Sequence, residues 1–245
     1  MNKTLLIASF FLLLLFISCD NTSEPLIPDT PETEQFNFVL YNGLTETDIA
    51  QVKTNLNNNR LRITNHLQLT NMPDVTIKIW GDYTSFLNDM EADIGTRYNG
   101  ATGYIFGPTE VRMYFNNDAA QAAVHEFAHL VSMQINMSIS NNPRWFWEAI
   151  AIYEAQEFVD PSTLSYMVSG NYPTINQLNS DFNSNRTIYS VGYILSEYII
   201  TNWGIDQFIQ LIRSNGNIQV TLGLSVSEFE TGWYRYIEDV YLTND

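Results

Sequence analysis

Val111-Arg112-Met113-Tyr114-Phe115-Asn116-Asn117-Asp118-Ala119-Ala120 is the stretch that decides the fold. As far as Phe115 it reads as a strand; from Asp118 onward the apolar residues crowd as they do in a buried helix. Asp118 is a good N-cap residue and opens a helix expected to run to about Met137. Upstream, Phe36–Tyr41 reads as a strand closed by Asn42-Gly43, and Val75–Trp80 alternates as a half-buried strand does. Gly103–Phe106 reads as a strand joined to 111–115 through Gly107-Pro108. Thr45 to about Leu69 reads as a helix with Ile49, Val52, Leu56, Leu61 and Ile63 on its apolar side.

Downstream everything reads as helix. Asn142-Pro143 opens one running through about Phe158, because Pro suits the first helical position. Thr187 to about Asn202 is another, stopped by Gly204, and Ile205–Arg213 and Ser227–Tyr241 follow. Strands first and helices afterwards predict an α+β domain spanning 36–245. The expected arrangement is an N-terminal mixed sheet with a long helix, then a mostly helical half, with an active-site cleft between them.

Within the helix after Asp118 stands His125-Glu126-Phe127-Ala128-His129. Residues four apart share one helix face, so the two imidazoles can ligate one Zn²⁺ at about 2.0–2.1 Å. Glu126 is rotated by roughly 100° from His125. It misses ligation but can reach an activated water, which is what a general base needs. Two of the three histidines of the chain sit here, among Ala122, Ala123, Val124, Leu130 and Val131. Buried imidazoles and carboxylates demand partners, and a metal supplies them. The third histidine, His66, reads as a surface residue. Glu148 lies in Trp145-Phe146-Trp147-Glu148-Ala149-Ile150-Ala151-Ile152-Tyr153, with no other ionisable group for several residues on its C-terminal side. A lone carboxylate there is costly unless ligated, as a third metal ligand, or paired with Arg144.

His-Glu-x-x-His, eighteen residues, then Glu in an aromatic-rich helix resembles the gluzincin zinc metallopeptidases, with the spacing of the aminopeptidase N branch and its minimal relatives. Trp145, Glu148, Ala151 and Tyr153 fit that family's W-x-x-E-G-x-A-x-Y pattern, with Ala149 in place of the glycine. The resemblance covers roughly residues 100–241 and is firmest at 118–155. It implies a zincin-type helical half, one zinc per chain on His125, His129 and Glu148, and Glu126 as catalytic base. It also implies an oxyanion-stabilising tyrosine: Tyr189-Ser190-Val191-Gly192 keeps the family's tyrosine and glycine, and Tyr193 stands one turn on as a substitute. Strand 111–115 resembles the edge strand along which such enzymes bind peptide, or is an ordinary sheet strand. No segment like the one that grips a free amine in the aminopeptidases is present, so aminopeptidase specificity is not implied. No carboxylate is assigned to orient a ligand histidine; Glu154 and Glu157 are the possibilities.

At the N-terminus, Lys3 precedes an apolar run from Leu5 to Phe16 that ends at Ser18-Cys19. A run this short reads as a secretory signal, or as a short retained anchor, and not as a span, which needs about 20 apolar residues. The lone cysteine of the chain at that point resembles the lipobox of bacterial lipoproteins. That resemblance implies a signal peptide over 1–18, lipid on Cys19, and an extracytoplasmic protein of the cell envelope held to its membrane by that lipid. Residues 19–35 read as a tether: Pro25, Pro28 and Pro31 with acidic residues cannot form a packed core. The net charge of −16 excludes a nucleic-acid partner.

The expected function is therefore zinc-dependent hydrolysis of a peptide or protein substrate. Two other readings stand beside it. One is a metal- or ligand-binding lipoprotein that keeps the fold without turnover, against which Glu126 argues. The other is a structural or adhesive surface protein with incidental histidines.

Overall fold

A computed structural model describes residues 35–180 and 182–243. The expected leader, Cys19 and all of the tether except Gln35 lie outside the described residues.

The sheet order is β1-β2-β4-β3. β1 (Phe36–Tyr41) and β2 (Val75–Trp80) run parallel, β2 and β4 (Glu110–Tyr114) likewise, and β3 (Gly103–Ile105) lies antiparallel to β4. This is the expected mixed sheet, with one correction. Strand 111–115 is internal, because the β3–β4 hairpin folds Gly103–Ile105 back along its outer side. Among the described residues the edge strands are β1 and β3, and β3 is the one beside β4.

Among the described residues the helices are α1 (Ala50–His66), α2 (Tyr83–Ile94), α3 (Ala119–Ile135), α4 (Arg144–Glu154), α5 (Ser165–Val168), α6 (Ile175–Leu178), α7 (Ile188–Arg213), α8 (Ile218–Leu222) and α9 (Val226–Ile237). α3 is central. It packs on α1, on β3 and β4, and on α4, which in turn lies against α7. Every residue from Ala123 to Met133 is buried, as a helix apolar nearly all round must be. The α+β expectation holds: a mixed sheet in the N-terminal part, then mostly helices. No helix among the described residues is long and apolar enough to cross a membrane.

The two faces of the sheet serve different clusters. Val75, Ile77 and Ile79 of β2 are fully buried in the main core. Trp80 packs instead with Phe86, Leu87 and Met90 of α2. α2 is an element not expected from the sequence; Asp82 caps its start by accepting the Ser85 N–H and Gly95 ends it in the left-handed region.

Several element ends differ from expectation. α1 starts at Ala50 because the Asp48 carboxylate accepts the Thr45 N–H and hydroxyl, closing a turn over 45–48. Leu61 is 61% exposed, whereas Ile49, Val52, Leu56 and Ile63 are buried. Five residues beyond Leu56 is roughly 140° off its face. Asp118 does not cap α3 with its side chain; Asn116 Oδ1 accepts the Asp118 N–H. Gly204 (φ 81°, ψ 167°) breaks the axis of α7, and helix resumes beyond it to Arg213. α4 ends at Glu154, short of the expected Phe158, and that early stop shapes the site.

Candidate metal centre

α3 sets His125 and His129 one turn apart, with ring centroids 4.8 Å from each other. α4 brings in Glu148: its Oε2 lies 3.4 Å from His125 Nε2 and 3.7 Å from His129 Nε2. One donor atom from each residue falls within 4.8 Å of the others, and all three residues are buried. A four-coordinate metal ion with donors at about 2.0–2.1 Å sets those donors about 3.3–3.4 Å apart, close to the two distances seen here. Trp147, next to Glu148, stacks flat on the His129 ring at 3.9 Å and 9°, which fixes that imidazole. Arg144 is not the partner of Glu148. Its Nη1 donates to the carbonyls of Ser180 and Asn185.

These residues fit a metal ion. Glu148 Oε2 is buried and accepts no hydrogen bond. Glu126, Glu148 and Glu157 converge on two imidazoles, and no lysine or arginine of the described residues pairs with any of the three. Carboxylates taken out of water need a compensating positive charge, and a cation between the donors supplies it. Burial raises the Glu126 pKa to about 8, with the nearby Glu148 and Glu157 adding to the rise and His125 opposing it. Burial also works against a charge on His125, but Glu157 and Glu148 outweigh it and hold its pKa above the usual histidine range. His129 is held below that range by burial and by His125 beside it.

Of the two carboxylates left open by the sequence, Glu157 is the one at this cluster: its Oε2 lies 3.0 Å from His125 Nδ1. The end of α4 puts it there. The Gln156 N–H donates to Tyr153 O and the Glu157 N–H to Ile152 O, with Gln156 in the left-handed region at φ 60°. Such a terminus turns the chain back on the helix. The Gln121 side-chain amide, from α3, also donates to the carbonyl of Ala155 and ties the two helices together there. A partner of this kind on the far nitrogen of a ligand histidine sets its tautomer and ring orientation. His129 Nδ1 is buried and has no such partner among the described residues.

Glu154, the other possibility, serves elsewhere. It is fully buried and pairs with His66 Nδ1 at 2.6 Å and Arg62 Nη1 at 3.3 Å. His66 is therefore no idle surface residue. It joins α1 to α4, and its ring stacks over Tyr153.

The site opens onto β3. Thr102 O accepts from the Tyr114 N–H and the Phe106 N–H donates to Glu110 O, so alternate residues of β3 face β4. The backbone groups of Gly103 and Ile105 then point to the free edge. At Gly103 a Cβ would stand 2.5 Å from Glu126 Oε1, so only glycine lets that carboxylate lie against the strand. A cavity of about 560 Å³ runs from His125, His129 and Glu148 along Gly103, Tyr104 and Ile105. Tyr189 lines it, with its ring 6.3 Å from that of His125, and burial drives its pKa far up, Glu148 adding to the rise. Gly192 lets α7 come that close, since a Cβ there would stand 3.2 Å from the Ala149 Cα and 2.7 Å from Ile152 Cδ1. Tyr193 instead packs on Tyr153 and Phe158, outside the cavity. Gly103, Trp147 and the cavity residue Phe182 were not singled out from the sequence. Their only signals were a glycine in a strand and aromatics in an apolar run.

No family model matches this chain, and no curated protein matches its sequence.

Proposed function

We propose that this protein is a zinc-dependent peptidase of gluzincin type. The observation that carries the reading is the buried, unbonded Glu148 Oε2 poised between His125 Nε2 and His129 Nε2, with Glu126 beside them on α3. His125, His129 and Glu148 would hold the ion. When bound, zinc acts as a Lewis acid and acidifies water toward a pKa of about 7. The protein's own residues do the rest. Glu126, held against Gly103, takes the proton of the attacking water and returns it to the leaving amine. Glu157 fixes the His125 ring through Nδ1. Tyr189, kept protonated by its burial, donates to the developing oxyanion. An extended substrate adds to the free edge of β3 through Gly103 and Ile105, antiparallel to it, the pairing that is slightly more stable per residue.

Glu126 also separates this reading from a metal-binding protein without turnover, which has no use for a base beside the ligands. Purified protein should carry about one zinc and hydrolyse peptides. Glu126→Gln should keep the zinc and drop to background; peptide hydrolysis at the wild-type rate by that variant sinks the mechanism. For location we propose a lipid-anchored envelope protein whose mature chain starts at Cys19. Mass spectrometry of membrane-extracted protein tests this, and an unmodified N-terminus or retained residues 1–18 would refute it.

A further inference from the structure

A second cavity, about 390 Å³, adjoins the first at Glu126 and reaches past Gly103 along Thr102, Ala101 and Gly100. Arg186 stands in its wall. The guanidinium is held on three sides. It lies 4.2 Å over the Phe182 ring and donates through Nη2 to the carbonyl of Asn99. It also presses on Gly100, where a Cβ would stand 2.9 Å from both Nη1 and Nη2. Gly100 has φ +84°, a backbone that favours glycine in any case.

Arg186, like Arg60, Arg144, Arg213 and Arg235, makes no ion pair among the described residues, but of these it alone lines this second cavity beside Glu126. The chain has 27 acidic residues against 11 basic ones, and Lys53, Arg62, Lys78, Arg97 and Arg112 all pair with carboxylates. Arg186 pairs with no carboxylate of the described residues, although it faces the same cavity as Glu157, which is engaged by His125. A guanidinium fixed in place loses little freedom when it takes up a carboxylate, and it offers a planar two-donor fork.

We propose that Arg186 is a specificity-determining residue that binds a substrate carboxylate within about three residues on the C-terminal side of the scissile bond. This rests on the peptidase reading above and sharpens it. The direction follows from β3. A peptide antiparallel to the strand passes Ile105 with its N-terminal part, meets Glu126 at Gly103, and lays its C-terminal part along residues 102 to 100. The carboxylate comes either from an acidic side chain or from the C-terminus of the peptide.

The test uses the zinc-loaded full chain and matched peptides. One set carries Glu or Gln at the first, second or third position after the cleaved bond; another ends there as free acid or carboxamide. The charged member should be cleaved with kcat/KM about tenfold higher, mainly through KM. Arg186→Gln should bring the ratio close to one, and Arg186→Lys should keep part of it. Calorimetry on the Glu126→Gln variant should give the same order of binding without turnover. A gain confined to the Glu peptides assigns a side chain, and one confined to the free acids assigns a terminus. A wild-type ratio near one, a ratio untouched by Arg186→Gln, or a preference on the N-terminal side overturns the proposal while leaving the peptidase reading intact. If no peptide is cleaved or bound, the peptidase reading falls and this proposal falls with it.

Discussion

Helix α4 buries two glutamates, and their surroundings differ in one respect. Glu154 has its counter-charge built in: Arg62 and His66 of α1 reach it, and it sits fully buried with both partners about one-third exposed. Glu148, six residues earlier, has two imidazoles beside it and no arginine or lysine, and its Oε2 is left unbonded. A buried carboxylate with a protein cation completes a structural tie. A buried carboxylate aimed between two histidine nitrogens, with two more carboxylates close by, suits a cation from outside. The same helix thus carries one finished cluster and one that asks for a metal.

Substitutions on the two sides should behave oppositely. The largest effect belongs to Glu126→Gln, which should retain zinc and lose about 10²–10⁴-fold or more in kcat. Equal rates in the two proteins would put the metal side on a level with the Glu154 side, as structure only. Tyr189→Phe should cost about 10²–10³-fold in kcat with KM little changed. Should Tyr193→Phe be the crippled variant, Tyr193 would be the donor in spite of its packing on Tyr153 and Phe158. Glu157→Gln should weaken zinc binding about 10–100-fold, read in competition with a chelator. An unchanged affinity would mean that the contact to His125 Nδ1 does not support the ligand.

Glu154→Gln is the control and should be the mildest. Its partners can turn to solvent, so the expected loss is about 1–3 kcal/mol in denaturant unfolding. Zinc affinity should stay as in the wild type. A zinc loss as large as that of Glu157→Gln would erase the distinction between the two clusters.

What the sequence told in advance follows the same division. His125, Glu126, His129 and Glu148 lie inside regular helices, where fixed spacing and an apolar setting make a polar group conspicuous. Glu157 was legible only as a possibility, because its place depends on a helix stop at Gln156 with no glycine to mark it. His66 looked superficial because the partner that holds it, Glu154, is distant in sequence. The sheet was legible strand by strand from alternation and turns. Its order was not: that 103–105, and not 111–115, forms an edge is settled by a hairpin packing outward, which periodicity does not encode. α2 went unread despite Asp82 and Gly95 at its ends, since its core contribution is only Phe86, Leu87 and Met90.

The most direct test of the central claim is the metal content of the wild-type protein beside Glu148→Gln and Glu154→Gln, measured by mass spectrometry under native conditions after dialysis against zinc. About one bound zinc is expected in the wild type and in Glu154→Gln, and none in Glu148→Gln. Zinc held equally by all three, or by none, would contradict the claim.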